Sequence, residues 1–210
     1  MKRIIVTAVL VFGCMALFAQ NTEKSPSHKI LYHHAVEVTG GYSLWDGYSD
    51  LFQGPSGNYL ASFRNLWSVG IHELHGVQFN PHLSLAVVIG ADFRRGYPDA
   101  EDYHTNHPGF AEPYPGIYFL DFSLGLNFKY TILKNHSWSP YLVAEFCPVS
   151  ASFSGLVHPT YKSSHLDLRG SLNLGAGAQY RFGERQSVYA AIGYEIVWSQ
   201  LNLTVGVRIR

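Results

Sequence analysis

Charge is scarce in this chain. Asp, Glu, Lys and Arg make up only 14% of its 210 residues, where an ordinary soluble domain carries about a quarter. A soluble surface needs a denser charged coat than that, so part of the exterior is expected not to face water. The charges present balance, 15 basic against 15 acidic. Removing Lys2 and Arg3 with an N-terminal signal leaves 13 against 15, which excludes the basic footprint of a nucleic-acid partner. Cysteine is almost missing. Cys14 falls in the N-terminal apolar stretch, and Cys147 is then alone, so no internal disulfide is expected. No segment reaches 18 uninterrupted apolar residues, which excludes helical membrane spans.

The N-terminus has the anatomy of a cleavable secretory signal peptide over residues 1–19. Lys2 and Arg3 are basic, Ile4 to Phe18 is apolar, and Ala19 precedes Gln20 as a small-residue cleavage site. Lipidation of Cys14 is the alternative; the apolar run continuing through Met15-Ala16-Leu17-Phe18 favours cleavage after Ala19. Residues 20–35 form a polar N-terminal lead, and the barrel is expected over residues 36–210.

What the chain has in quantity is aromatics, 15% of residues, and 20 glycines, set in segments that alternate with period two. From Tyr118 to Ile132 the even positions are Tyr, Leu, Phe, Leu, Leu, Phe, Tyr and Ile; the odd positions, Phe119 apart, are polar or tiny. Residues 166–182, 188–198 and 201–209 repeat the pattern, the second ending with Trp198 on its apolar face. Val36 to Leu44 and Leu83 to Phe93 follow it. Leu66 to Phe79 loses phase at Glu73-Leu74-His75, where a β-bulge is expected, and Pro140 to Phe153 is interrupted at Cys147-Pro148. Period two marks strands with two different faces.

These are eight strands. The connections are long over Trp45 to Asn65, Arg94 to Pro115 and Ser154 to His165. They are short at Asn80-Pro81-His82, Leu133 to Ser137, Gly183 to Gln186 and Ser199-Gln200. Long loops on one rim and tight turns on the other predict an all-β fold, a closed eight-stranded antiparallel transmembrane β-barrel. A soluble, lipocalin-like barrel would turn Leu, Phe and Val inward around a ligand. Its outside would then be Asp121, Ser123, Gly125, Asn127 and Lys129, too poor in charge and too rich in glycine for a soluble strand surface. The apolar face is therefore expected to meet lipid. Trp67, Phe93, Tyr118 and Trp198 are expected near the loop rim, with Phe79, Phe128, Tyr130, Tyr180 and Phe182 near the turn rim.

Gln78-Phe79-Asn80-Pro81-His82-Leu83-Ser84-Leu85, Ser139-Pro140-Tyr141-Leu142, Gly193-Tyr194-Glu195 and the closing Leu201 to Arg208 stretch resemble an uncharacterised family of small outer-membrane β-barrel proteins. That family is similar to the broad OmpA/OmpX-type eight-stranded barrels. The resemblance covers about residues 36–210 and implies a fold rather than a chemistry. It departs from the pattern at Arg208-Ile209-Arg210, where such barrels carry a closing aromatic.

The most informative polar set faces inward: Glu37, Asp92, Asp121, Lys129, Glu145, Asp167, Arg169, Arg181, Glu195 and Arg208. An eight-stranded bore is about filled by side chains, whereas water channels come with ~16–18 strands. A mutually neutralising lumen network is therefore expected ahead of a selectivity lining, because buried charges need partners. Ring closure is expected to make Glu37 and Arg208 neighbours and to bring Arg169 toward Glu195. Asp102, His104 and His107, and separately His33-His34, are the candidate metal ligands, but no second His or Cys pair matches a zinc-site spacing, so no metal and no cofactor are expected. Asn135-His136-Ser137 and Ser163-Ser164-His165 are the candidate hydrolytic sets; neither shows an oriented acid or an oxyanion donor. Tyr97, Tyr103, Phe110 and Tyr114 in the second long loop are the candidate contact residues for an extracellular protein or glycan. The expected function is a non-enzymatic, monomeric envelope scaffold that displays extracellular loops for binding or adhesion. Its expected partners are outer-membrane lipid and the barrel-assembly machinery. A narrow, porin-like channel for small solutes is the second reading and a lipid-modifying enzyme the third.

Overall fold

The computed structural model describes residues 30–43, 48–54, 57–98, 117–133, 137–156, 164–183 and 185–210, with the side chains of 48–65, 97–98, 117, 152, 154–156 and 164–169 outside that description. It contains nine strands: β1 (Leu31–Ser43), β2 (Tyr48–Gly54), β3 (Gly57–Gln78), β4 (Leu83–Pro98), β5 (Ile117–Thr131), β6 (Trp138–Leu156), β7 (Ser164–Arg181), β8 (Gln186–Glu195) and β9 (Gln200–Ile209). Every pairing is antiparallel, and β1 pairs with both β3 and β9, which closes a ring of eight strands. Closure satisfies the backbone of every ring strand without an edge, the condition for crossing lipid with strands. The ninth element, β2, pairs with residues 57–63 of β3 beyond the last β1 partner, Trp67. A hairpin arm thus stands where the sequence suggested only a long first loop.

The period-two pattern maps onto two faces. On β8, Ser187, Tyr189, Ala191, Gly193 and Glu195 are buried while Val188, Ala190 and Ile192 are exposed. On β5, Phe119, Asp121, Gly125, Asn127 and Lys129 are inside, while Leu120, Phe122, Leu124 and Leu126 are outside. Exposed Val, Leu, Ile and Phe recur on all eight ring strands except β7, where Leu174 is half-covered and Ala176 and Ala178 complete the outer face. At the turn rim Tyr32, Phe79, Trp138 and Phe182 are exposed; toward the loop rim are Tyr42, Phe93, Tyr118 and Phe153. An apolar band between two aromatic girdles is the exterior of a membrane-spanning barrel. The turn between β3 and β4 is closed by Asn80, whose Oδ1 accepts the His82 and Leu83 amides, each at 2.8 Å.

Four sequence expectations change. β1 starts at Leu31, within the polar lead, because His33 and Ala35 are inner-face residues and both are buried. The bulge expected at Glu73-Leu74-His75 is not there: register runs unbroken from Trp67 to Gln78, with Leu74 inside and Glu73 and His75 outside. An irregularity lies instead at Arg64/Trp67, and the interruption expected at Cys147-Pro148 on β6 is present. Arg94, assigned to a loop, is buried inside β4, which continues to Pro98. Trp198 is not on the lipid face. The β8–β9 turn occupies residues 196–199, with Ser199 at φ 50°, and this break in the alternation delivers the indole inside, 4% exposed.

Candidate functional site: a filled lumen

The lumen is organised in three layers. In the upper layer the Arg94 guanidinium is the hub. Its Nε donates to Asp121 Oδ2 at 2.6 Å and its Nη1 to Glu195 Oε2 at 3.1 Å, and Nη1 also donates to Gln200 Oε1. Gln200 in turn accepts from Ser68 Oγ at 3.3 Å and donates to the Leu66 carbonyl at 3.3 Å. The guanidinium carbon lies 4.8 Å from the centre of the Trp198 ring, which packs edge-on against Phe119 at 5.2 Å. A cation held over an indole and between two carboxylates spans the bore from β4 to β9.

In the middle layer His72 Nε2 lies 3.1 Å from Asp92 Oδ2, and Thr39 Oγ1 donates to Asp92 Oδ1 at 3.2 Å. The other His72 nitrogen is 3.9 Å from Glu145 Oε1, whose second oxygen accepts from Asn127 Nδ2 at 3.0 Å. Glu37, His72 and Glu145 hold their donor atoms within 4.8 Å of one another. Cys147 sits beside them, its Sγ 4.0 Å from Glu145 Oε1.

The lower layer combines aromatics and cations with an apolar cluster in which Tyr141 and Tyr189 pack with Ala35, Leu74, Ala86, Val88 and Ala191. Lys129 Nζ lies 3.7 Å from the centre of the Tyr141 ring and 4.5 Å from that of Tyr189. The Tyr189 hydroxyl donates to Glu37 Oε1 at 2.6 Å. Beyond the last strand, Arg210 has its ionisation lowered to about 10, by burial first and then by the neighbouring charges of Arg208 and Arg181.

Inner-face glycines make the room. Gly70, Gly90 and Gly206 lie opposite Asp92, His72 and Tyr189 in the pairing. A methyl on Gly90 would lie 2.7 Å from the His72 ring, and one on Gly70 would lie 2.8 Å from Thr39 Oγ1. The space left in the upper and middle lumen is about 40 Å³, room for ~3 waters at ~10–15 Å³ each.

Of the charges read from the sequence, Glu37, Asp92, Asp121, Lys129, Glu145, Glu195 and Arg208 are buried within the ring. Arg181 is half-buried at the turn end of β7. Asp167 and Arg169 pair with Ser152 and Ser150 on β6, and their side chains lie outside the described residues; Glu195 takes Arg94 as its partner. The expected contact of Glu37 with Arg208 is replaced. In register Glu37 faces Gly206 while Arg208 faces Ala35, and Tyr189 reaches across Gly206 to hold Glu37, its ring 5.8 Å from the Arg208 guanidinium. Arg94, His72 and the aromatic group of Tyr141, Tyr189 and Trp198 were missed. A strand boundary drawn one residue past Phe93 would have brought Arg94 in. Tyr97 ends β4 with its side chain undescribed, and Tyr103, Phe110, Tyr114, Asp102, His104, His107, Asn135, His136 and Ser163 lie outside the described residues. Ser164 and His165 open β7.

A solved structure with the same arrangement is the outer membrane protein OprG from Pseudomonas aeruginosa, at TM-score 0.51 and 12% identity over 87% of this chain and 91% of that one. The chain is an eight-stranded outer-membrane β-barrel. Neisserial surface protein A is 16% identical over 87% of this barrel and 99% of its own chain, at TM-score 0.49. The attachment invasion locus protein of Yersinia pestis, solved with the heparin analogue sucrose octasulfate, is 13% identical over 85% and 99%, at 0.44. No family model and no curated protein matches the barrel's sequence.

Proposed function

We propose that this outer-membrane barrel is a non-enzymatic scaffold that holds its outer loops for contact with an extracellular protein or glycan. The observation that carries this reading is the Arg94 hub. A guanidinium bonded to Asp121, Glu195 and Gln200 lies across the bore, with a second polar layer and a packed cluster of aromatic and apolar side chains further in. Charges this deeply paired do not part for passing solutes at low cost. With the lumen occupied, the long connections are the part left to act, and loops on a rigid scaffold are where binding residues concentrate. The hairpin arm of β2 and β3 supports the same reading, since it extends one connection beyond the ring.

The test pairs two measurements. Reconstituted in a planar bilayer, the barrel is expected to give no steady conductance steps, and large regular steps would establish the narrow channel instead. Shortening residues 97–114 is expected to abolish surface or partner binding while leaving the barrel's heat resistance intact. Binding that survives this deletion would remove the second loop from the proposal.

A further inference from the structure

Among the described residues, the outer face of the barrel carries a group that does not belong to a lipid-facing surface. On β1 and β3, the exposed positions toward the loop rim are Val36, Val38, Val69 and Ile71. Toward the turn rim the same two strands present Tyr32, His34, Glu73 and His75. His34 and His75 are direct cross-strand partners, and Glu73 is two residues from His75 on the same face. Their imidazoles stack with ring centres 4.7 Å apart. Both Nε2 atoms point at one oxygen: Glu73 Oε1 is 2.9 Å from His34 Nε2 and 2.9 Å from His75 Nε2. The three donor atoms lie within 4.8 Å of one another.

That spacing is close to the edge of a metal coordination shell. Ligand atoms bound at ~2.0–2.1 Å in a tetrahedron lie ~3.3 Å apart. The atom behind the second imidazole is also provided for. Tyr32 Oη is 2.6 Å from His75 Nδ1; a hydroxyl can accept as well as donate, so it can take the Nδ1 proton when Nε2 binds an ion. Fixing the far nitrogen is how metal-ligating histidines are oriented. The height in the membrane suits an ion from water. His75 is three residues from the end of β3, which at ~3.3 Å per residue and a tilt near 40° is about 8 Å above the rim. Polar groups cost little at that depth, and the side chains are 35%, 52% and 45% exposed for His34, Glu73 and His75. The short-turn rim is the periplasmic side of outer-membrane barrels.

We propose that His34, His75 and Glu73 form a binding site for a borderline divalent transition-metal ion of the zinc class, open to the periplasmic membrane interface, with Tyr32 as the residue that positions His75. Two imidazoles and a carboxylate with remaining positions left to water suit that class of ion rather than calcium or magnesium, which select oxygen ligands. This inference is independent of what the lumen or the outer loops do.

The test is Zn²⁺ titration of the full folded chain in detergent, with Co²⁺ absorption to report imidazole coordination. Because these side chains lie outside the ring, barrel folding, checked by heat-dependent gel mobility, is expected to survive their replacement. The double variant His34→Ala/His75→Ala is expected to lose one metal equivalent and the cobalt signal. Glu73→Gln is expected to weaken binding about tenfold or more, and Tyr32→Phe by a similar or smaller factor. His82→Ala, whose imidazole bonds the Thr131 carbonyl in a turn, is expected to keep the equivalent. Unchanged stoichiometry and affinity in the double variant would overturn the proposal, as would loss of the same equivalent in His82→Ala.

Discussion

The Tyr189 hydroxyl reaches Glu37 across an intervening strand, because the residue between them, Gly206 on β9, has no side chain. Gly206 is the cross-strand partner of both, and a methyl there would lie 2.5 Å from Tyr189 Cζ and 2.6 Å from its hydroxyl. The Tyr189 ring cannot swing clear at low cost, since Lys129 stands over it and Tyr141 meets it edge-on at 6.2 Å. Three strands are thus tied by one hydrogen bond whose existence depends on a glycine.

Tyr189→Phe keeps the ring under Lys129 and removes only the donor to a buried carboxylate. The expected destabilisation is ~1–3 kcal/mol, the range for leaving a buried group unsatisfied. Gly206→Ala is expected to break the same bond by displacing the ring, so the double variant should cost less than the sum of the singles. The urea midpoints of the four proteins in lipid vesicles measure this coupling; simple additivity would show that Gly206 acts elsewhere.

Arg94→Ala removes the cation that bonds the buried carboxylate of Glu195, and with it one bond to Asp121. Losing one partner of a buried ion pair costs ~3–5 kcal/mol, and a comparable loss is expected here. Adding Glu195→Gln to that variant is expected to restore part of the stability, because the buried charge that lost its cation is then gone. Trp198 packs against the Arg94 guanidinium, so its emission, read with Trp45, Trp67 and Trp138 replaced by Phe, follows this layer. A double variant less stable than Arg94→Ala would contradict the charge-pairing account of the hub.

Depth on the outer face predicts a graded response. Leu124, at the middle of β5 and 54% exposed, is expected to cost ~2–4 kcal/mol when replaced by Arg. Val207, two residues from the end of β9, lies near the interface and is expected to cost only ~0–1 kcal/mol for the same change. Folding free energies in vesicles of defined thickness give both numbers. Equal costs would mean that the apolar band is not centred where the girdles place it.

The sequence alone determined the architecture. Period-two alternation has only two phases, so residues such as Leu120, Phe122 and Leu124 declare their face without reference to any neighbour, and the order of long loops and short turns orients the ring. Alternation also marked Glu37, Asp121, Lys129, Glu195 and Arg208 as interior. It failed where the chain leaves strict alternation. The Cys147-Pro148 bulge and the Ile196–Ser199 turn shift phase, and only the folded backbone shows that Trp198 then turns inward. Which interior charge meets which was decided by the tertiary structure. Partners come from strands 18 to 152 residues apart, and their heights depend on the register across several strands at once. Arg94 therefore holds Glu195 although nothing in their spacing links them. The same holds for the outer face: the sequence offered His34 only beside His33, which turns inward, and His34 meets His75 only when ring closure lays β1 against β3.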